Sequence, residues 1–413
     1  MSEGTDKPWD AIVVGAGAAG LFAAIRSAER GRRTLLLEKN RRPGIKILMS
    51  GGTRCNITHA CDNRGIVAAF GKNGKFLHSS LAQFGVQETL DFFHTEGVAT
   101  KVEETGKIFP VSDRASDVLD ALVRRLERSG AVLSLEEPLI DVQREGLCFV
   151  LRTSRRTLHT PRLVLTTGGK SYPGSGTTGD GYAWAERFGH RIVPLRPALA
   201  PITTNDAWVK ELQGLTIPHV GLAIFEASKK IASHAGSLLF AHFGLSGPVA
   251  LDVSREVAGH PQPASLRLEI DVSPQCREQD LDEALAKESL TNGKKLLASV
   301  FPPHVPRRLI DAMLSMAELP LDRKAAGLSK DDRRKLAGMM KRLPVAVSGT
   351  LGYKKAEVTA GGVSLDEVDS RTMESKLVPG LHFAGEILDL DGRIGGFNFQ
   401  AAWSTGWAAG SAV

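Results

Sequence analysis

The sequence predicts an α/β protein: a discontinuous Rossmann-like nucleotide-binding domain that carries a β-rich, barrel-like insert and a small helical insert. Three observations predict it. A short apolar run near the N-terminus opens into "GAGAAG" and then an alanine-rich stretch. A proline-rich boundary, "PLRPALAPI", is followed first by alternating β-like runs and then by polar helical sequence. Strand-and-glycine character returns in the last seventh of the chain, ending in "GRIGGFNFQAAWSTG". The partition that follows is 1–194 plus 347–413 for the nucleotide-binding domain, 195–275 for the β-rich substrate domain and 276–346 for the helical domain.

"DAIVV" (10–14) is a short apolar run stopped by glycine, the pattern of a parallel strand buried on both faces. "LFAAIRSAERG" reads as a helix ended by Gly31, and "RTLLLEK" (33–39) as a second buried strand, which completes a βαβ unit. "RASDVLDALVRRLERSG" (114–130) is an amphipathic helix, and "AVLSL" after it another strand. "RLVLTTGG" (162–169) repeats the strand-into-glycine pattern. Between 202 and 272, "HVGLAIFEA" and "SLRLEIDV" alternate as half-buried strands do. From about 276 to 345 the chain is helical and basic. "KAEVTAGGVSLDEV" and "GLHFAGEI" then resume the N-terminal character, and no repeat of 20–50 residues is apparent.

At 413 residues the chain is too long for one ordinary core. Its 42% hydrophobic and 24% charged residues are those of a soluble globular protein. No apolar run approaches a membrane span, and "MSEGTDKPWD" lacks the apolar core of a secretory signal. Cys55, Cys61, Cys148 and Cys276 show neither a Cys-x-x-Cys pair nor zinc spacing, so no metal is expected and the compartment is read as the cytoplasm. The net charge is +6. Between 323 and 342, Arg323, Lys324, Lys330, Arg333, Arg334, Lys335, Lys341 and Arg342 outnumber Asp331 and Asp332 by the same amount. Leu328, Leu336, Met339, Met340 and Leu343 recur there at roughly helical spacing, which puts the charges on a solvated opposite face.

"GAGAAG" places Gly15, Gly17 and Gly20 at the positions where glycine permits a tight turn, close approach of a pyrophosphate, and close helix–strand packing. Ala16, Ala18 and Ala19 fill the loop and the first helical turn. Glu38, with Lys39 beside it, ends the next strand about 20 residues on, where a carboxylate accepts hydrogen bonds from an adenosine ribose. A dinucleotide site follows. The second glycine-opened helix start, at Gly395 and Gly396, separates FAD from NAD. FAD lies extended, with its pyrophosphate at one helix N-terminus and its isoalloxazine far away, and a second helix N-terminus stabilises negative charge on the reduced ring. Two glycine-gated helices suit the two ends of one long cofactor.

With these residues in place the chain resembles the BaiN-like, aminoacetone-oxidase-like bacterial FAD-dependent oxidoreductases. The resemblance is carried by "GAGAAG", "GIKILMSGGTRCNITH", "GKIFPVSDRASDVLDAL", "TTGGKSYPGSGTTGDGYAWAERFGH", "LFAHFGLSGPVAL" and the block from "VTAGGVSLDEV" to "GGFNFQAAWSTG", in that order over most of 10–410. It implies non-covalent FAD. Lys46, Gly51, Gly52, Arg54 and Asn56 would lie along the flavin and pyrophosphate, and Gly385 and Glu386 would hold the ribityl and pyrophosphate. Gly395, Gly396, Phe397, Asn398 and Phe399 would face the isoalloxazine. Thr167 and Gly168 would pass the adenosine half, with Leu139 as backbone partner of the adenine. Thr53 departs from the family's loop, which has a third consecutive glycine there; a threonine narrows access to the flavin.

Cys55 and Cys61 invite a disulfide-reductase reading, but five residues separate them rather than four and a second dinucleotide motif is missing. Arg54, Tyr172 and His242 are the candidates for catalytic work: a guanidinium in a glycine-rich loop, a proton donor in "KSYPGSG", and an acid/base in "AHFGLSGP". Turn-shaping and packing are the competing roles for Tyr172 and His242, and a surface ion pair for Arg54. The expected activity is hydride transfer between flavin N5 and a small or medium organic substrate, held between the flavin and the β-rich insert. NAD(P)H would be a transient electron donor. The alternatives are an FAD-dependent amine oxidase and an FAD-dependent tRNA-modifying or RNA-binding protein using 323–342. The lack of aromatic residues among those cations makes nucleic acid the less favoured partner. Substrate identity, the choice between oxidase and reductase, and oligomeric state are not encoded legibly.

Overall fold

The computed structural model describes residues 8–413 and divides the chain into two compact units: one up to Pro197 resuming at Glu357–Val413, and one spanning Ala198–Ala356. The first is built on a five-stranded parallel sheet. Its order is Leu381–Phe383, Leu163–Leu165, Ala11–Val14, Thr34–Leu37, Val132–Ser134. Strands buried on both faces need unbroken apolar runs, and Ala11–Val14 and Thr34–Leu37 are buried at every position. The C-terminal strand thus enters the sheet beside Leu163–Leu165, so the first and last parts of the sequence share one core.

The helix Ala18–Glu29 packs on the C-terminal helix Phe397–Ala412. Their backbones come close because the C-terminal helix offers glycine: a Cβ on Gly406 would lie 2.4 Å from the Ala19 carbonyl oxygen, and one on Gly410 2.4 Å from that of Ala23. Phe22 anchors the other side, with its ring centroid 5.0 Å from Trp403, 4.7 Å from Phe92 and 5.1 Å from Phe84. The amphipathic segment forms the helix Ala115–Ser129, stopped by Gly130 in the left-handed conformation.

The proline-rich boundary is not a turn. Ile192–Ala198 is a strand that pairs with Val358–Val363 in a two-stranded sheet. Pro194 and Pro197 are tolerated because such a strand has an open edge that needs no N–H donors.

The second unit is a seven-stranded sheet whose pairings are all antiparallel. Its order is Leu343–Ala346, Leu266–Asp271, Thr216–Glu226, Lys229–Ala241, Gly244–Ser246, Ile202–Thr203, Gly349–Thr350. Leu266–Asp271 alternates buried and open positions, as its sequence requires. Helices Glu278–Thr291, Arg307–Met316 and Lys330–Lys341 contribute Leu285, Leu309 and Met340 to the same core as Leu222, Ile224 and Leu268 of the sheet. The basic stretch is helical from Lys330 and turns Leu336, Ala337 and Met340 inward. Its cations are largely tied: Arg323 to Asp332, Arg333 to Asp282, Lys341 to Asp271 and Arg342 to Glu278. Lys335 donates to the Ala317 carbonyl. Among the described residues no helix is long and apolar enough to cross a membrane.

Candidate functional site

The three glycines of the first gate have distinct tasks. Gly15 sits at φ +103°, donates to the Leu37 carbonyl at 2.8 Å, and would place a Cβ 2.7 Å from the Thr166 carbonyl oxygen. A Cβ on Gly20 would lie 1.8 Å from the Gly15 carbonyl oxygen, so this glycine is required by packing. A Cβ on Gly17 would meet nothing within 4 Å. Gly17 therefore faces open space, where a ligand phosphate can approach the helix N-terminus. Thr166 pins the turn: its Oγ1 lies 2.9 Å from both the Val14 and Gly15 carbonyl oxygens. Only the juxtaposition of Leu163–Leu165 with Ala11–Val14 gives Thr166 that task.

Glu38 borders this gate. Its Oε2 accepts the Ala16 N–H at 2.7 Å, while Oε1 accepts the Asn40 N–H and side-chain amide at 2.9 and 2.8 Å. Glu137 donates its N–H to the Glu38 carbonyl, and Leu139, two residues on, begins the strand Leu139–Glu145 and pairs with Thr153. Lys39 pairs with Asp180 at 2.6 Å. Gly168 is left-handed at φ +71°. Thr167 Oγ1 is buried with no hydrogen-bond partner.

At the second gate, Gly395 and Gly396 stand at φ +137° and +93°, and Phe397 begins the C-terminal helix. A Cβ on Gly396 would lie 2.5 Å from the Thr58 carbonyl oxygen and 2.8 Å from Asn56 Oδ1. Asn56 Oδ1 is itself buried and unpartnered. His59, absent from the sequence-based candidates, stacks on Phe397 with centroids 4.5 Å apart, and its Nδ1 donates to the Gly395 carbonyl at 3.0 Å. The Asn398 side chain is spent on the loop: its Oδ1 accepts the Gly392 N–H and its Nδ2 donates to the Gly392 carbonyl. Phe399 stacks on Trp403. Their side chains shape the loop and the helix's packing, leaving main-chain N–H groups of the first turn as the available donors.

Buried polar residues hold this helix in place. Thr58 donates to Gln400 Oε1 at 2.6 Å, Trp403 Nε1 to the Ile57 carbonyl at 2.9 Å, and Ser404 to the Phe84 carbonyl at 2.6 Å. Thr405 Oγ1 accepts the Gly385 N–H, and a Cβ on Gly385 would lie 2.8 Å from Ala19 Cβ. The two gates, distant in sequence, are thus joined through Gly385 and Ala19. Beside them, Glu386 accepts from Lys46 Nζ at 2.5 Å, Ser171 Oγ at 2.6 Å and the Thr359 N–H at 2.8 Å.

The loop between the gates is strained. Gly51, Gly52, Thr53 and Cys55 stand at φ +56°, +68°, +69° and +61°. Arg54 Nη1 lies 2.6 Å from Glu103 and 3.4 Å from Asp113, and its guanidinium covers the Phe109 ring at 3.9 Å. The hydrogen bond that the guanidinium donates to Glu103 pushes its pKa still higher. Burial pushes the Cys55 thiol up to about 12 and raises that of Cys61 as well, and both are free. A thiol held protonated is a poor nucleophile. Tyr172 is left-handed at φ +55°, and its carbonyl accepts the Ser175 N–H of the following turn. In the second unit His242 is exposed, edge-on to Phe243 between two strands. Among the described residues no group of three or more His, Cys, Asp or Glu could hold a metal.

These features fit FAD. Gly17 and Gly52 present open backbone, Asn56 Oδ1 and Thr167 Oγ1 are buried polar atoms awaiting partners, and each gate ends in a helix N-terminus.

Residues 9–412 match the family model described as the HI0933-like protein Rossmann domain. The ribosomal RNA dihydrouridine synthase of Escherichia coli is 36% identical over 97% of this chain and 96% of its own length. That of Haemophilus influenzae is 32% identical over 97% and 98%. A 3-dehydro-bile acid delta(4,6)-reductase of Clostridium scindens is 30% identical, again over 97% and 98%. The chain belongs to the HI0933-like Rossmann family and is an FAD-dependent oxidoreductase.

Proposed function

We propose that the protein is a reductase of carbon–carbon double bonds conjugated to a carbonyl, and that its substrate is a uridine of ribosomal RNA. The observation that carries this is the 36% identity to the E. coli ribosomal RNA dihydrouridine synthase, which runs over nearly the whole of both chains. The bile-acid reductase supports the reaction class. Saturating uracil C5=C6 and saturating an alkene conjugated to a 3-keto group are the same chemistry. A hydride adds to the carbon β to the carbonyl, a proton adds to the α carbon, and the double bond becomes single.

FAD bound here and reduced by NAD(P)H would supply the hydride from N5, and the proton would come ultimately from solvent. The chain's part is to hold and polarise. Gly15–Gly20 and Glu38 would hold the adenosine diphosphate end, Lys46, Gly385 and Glu386 the middle, and Gly395–Phe397 with Asn56 the ring. The helix N-terminus at Phe397 carries roughly half a positive charge and favours negative charge on the ring's pyrimidine edge. Arg54, tied to Glu103 and Asp113, serves to shape its loop, whereas only the main chain of Tyr172 is engaged in a turn and its hydroxyl remains the candidate proton donor. That substrate also places the protein in the cytoplasm.

The test is to incubate FAD-loaded protein and NADPH, without air, with ribosomal RNA from a strain lacking the gene. Nucleoside mass spectrometry should then find uridine heavier by two hydrogens. The bile-acid relative supports a second reading, a free enone as substrate. Unmodified RNA together with rapid reduction of a steroid enone would replace the first reading by the second.

A further inference from the structure

We infer that the RNA backbone docks on the surface made by Arg64, Lys72 and Lys75 with Arg393, beside the second glycine gate; this rests on RNA being the substrate. The stretch 323–342 accounts numerically for the chain's charge, but four of its eight cations are paired with carboxylates. Arg64, Lys72 and Lys75 are exposed and form no ion pair or side-chain hydrogen bond within the described structure. They stand on the helix Asn63–Ala69 and the following turn Gly71–Leu77.

The loop that leads into the gate is stitched to that segment. Asn73 Nδ2 donates to the Asp389 carbonyl at 2.8 Å, and the Arg393 N–H donates to the Ala69 carbonyl at 3.2 Å. A Cβ on Gly392 would lie 2.8 Å from the Phe70 ring. The Arg393 guanidinium, also exposed and without an ion pair among the described residues, is 5.9 Å from the ring of Phe397, the first residue of the C-terminal helix. Three carboxylates lie in the same segments: Asp62, Asp389 and the buried Asp391. Asp62 caps the helix by accepting the Gly65 N–H, and Asp389 accepts from Asn73. Four cations with no ion pair among the described residues, against three carboxylates, leave the surface net basic where a base would have to enter. An enzyme acting on a base takes it out of the stack, and the flanking strand then needs a backbone-tracking basic surface.

The experiment uses intact FAD-loaded protein and a fluorescein-labelled oligouridylate of ~15 nucleotides, a length typical of single-strand sites. Anisotropy titrations are run from about 0.05 to 1 M salt for wild type, for R64Q/K72Q/K75Q, and for K324Q/K330Q/R334Q, which neutralises unpaired cations of the other basic stretch. Each phosphate contact contributes roughly 0.7 to the log–log salt slope, so the first triple variant should lose about 2 from it. It should bind about 100-fold more weakly near 0.1 M salt and converge with wild type near 1 M. Its flavin absorbance should be unchanged, and the second triple variant should match wild type. Unchanged binding by the first variant, or a loss confined to the second, would overturn the docking surface while leaving the substrate reading intact. If wild type neither binds the oligomer in a salt-dependent way nor modifies ribosomal RNA, the docking surface and the substrate reading both fall.

Discussion

Replacing Gly396 by alanine should damage both the fold and the cofactor site. The backbone there stands at φ +93°, and left-handed backbone costs an L-residue roughly 1–2 kcal/mol. The new methyl would also sit 2.5 Å from the Thr58 carbonyl oxygen and 2.8 Å from Asn56 Oδ1. The first of these is backbone, held by strand pairing between Thr58 and Ile108, so the helix must shift instead. Such overpacking costs roughly 1–3 kcal/mol more. Denaturant unfolding should therefore register a loss of about 2–5 kcal/mol, the sum of the two effects. The ratio of flavin to protein absorbance should fall as the helix N-terminus moves off the ring. Gly17→Ala supplies the contrast. Gly17 has extended backbone and its Cβ would meet nothing, so apo stability should change by no more than about 0.5 kcal/mol while FAD affinity drops tenfold or more. If the Gly396 variant keeps wild-type stability and full flavin occupancy, the steric account of the second gate is wrong. If Gly17→Ala binds FAD normally, the open face at the first gate is not where the phosphates approach.

Thr53→Gly should stabilise the protein by about 1 kcal/mol in chemical denaturation, because a β-branched residue is held there at φ +69°; a destabilised variant would mean the side chain compensates for its strain. His382 is buried, and burial depresses its pKa from 6.5 to about 4, so it is neutral in the folded state and charges more readily when unfolded. Its contribution is complete above about pH 6.5 and is lost as pH falls toward 4, on the order of 3 kcal/mol in all. The stability–pH curve of His382→Gln should be flatter over that window, and a parallel curve would exclude the histidine as its cause. Cys148 is exposed and should be alkylated rapidly by iodoacetamide at pH 8, whereas buried, protonated Cys55 should react only after unfolding. Peptide mapping of labelled native protein decides it, and early modification of Cys55 would contradict its burial.

The sequence alone determined the parallel sheet's first βαβ unit, the glycine gates and the cofactor class. These depend on local rules: unbroken apolar runs, a glycine where φ must be positive, and a carboxylate at a fixed distance along the chain. It also determined that Leu336 and Met340 face inward, since helical periodicity alone dictates that. What the tertiary structure decided is where charge is free and which residues brace the site. Thr166, Thr359, Thr405 and Ser171 carry no local signal, because each acts on a carbonyl, carboxylate or N–H brought near by a crossover or a distant strand. His59 became part of the second gate only when the C-terminal helix folded against Thr58–His59. The contrast is sharpest in the cations. Counting along the chain put the charge excess at 323–342, but Asp282, Asp271 and Glu278 arrive there from other elements and offset half of it. Arg64, Lys72 and Lys75, unremarkable as sequence, form no ion pair among the described residues. Coulomb energy depends on distance in space, and sequence spacing sets that distance only within a helix or strand.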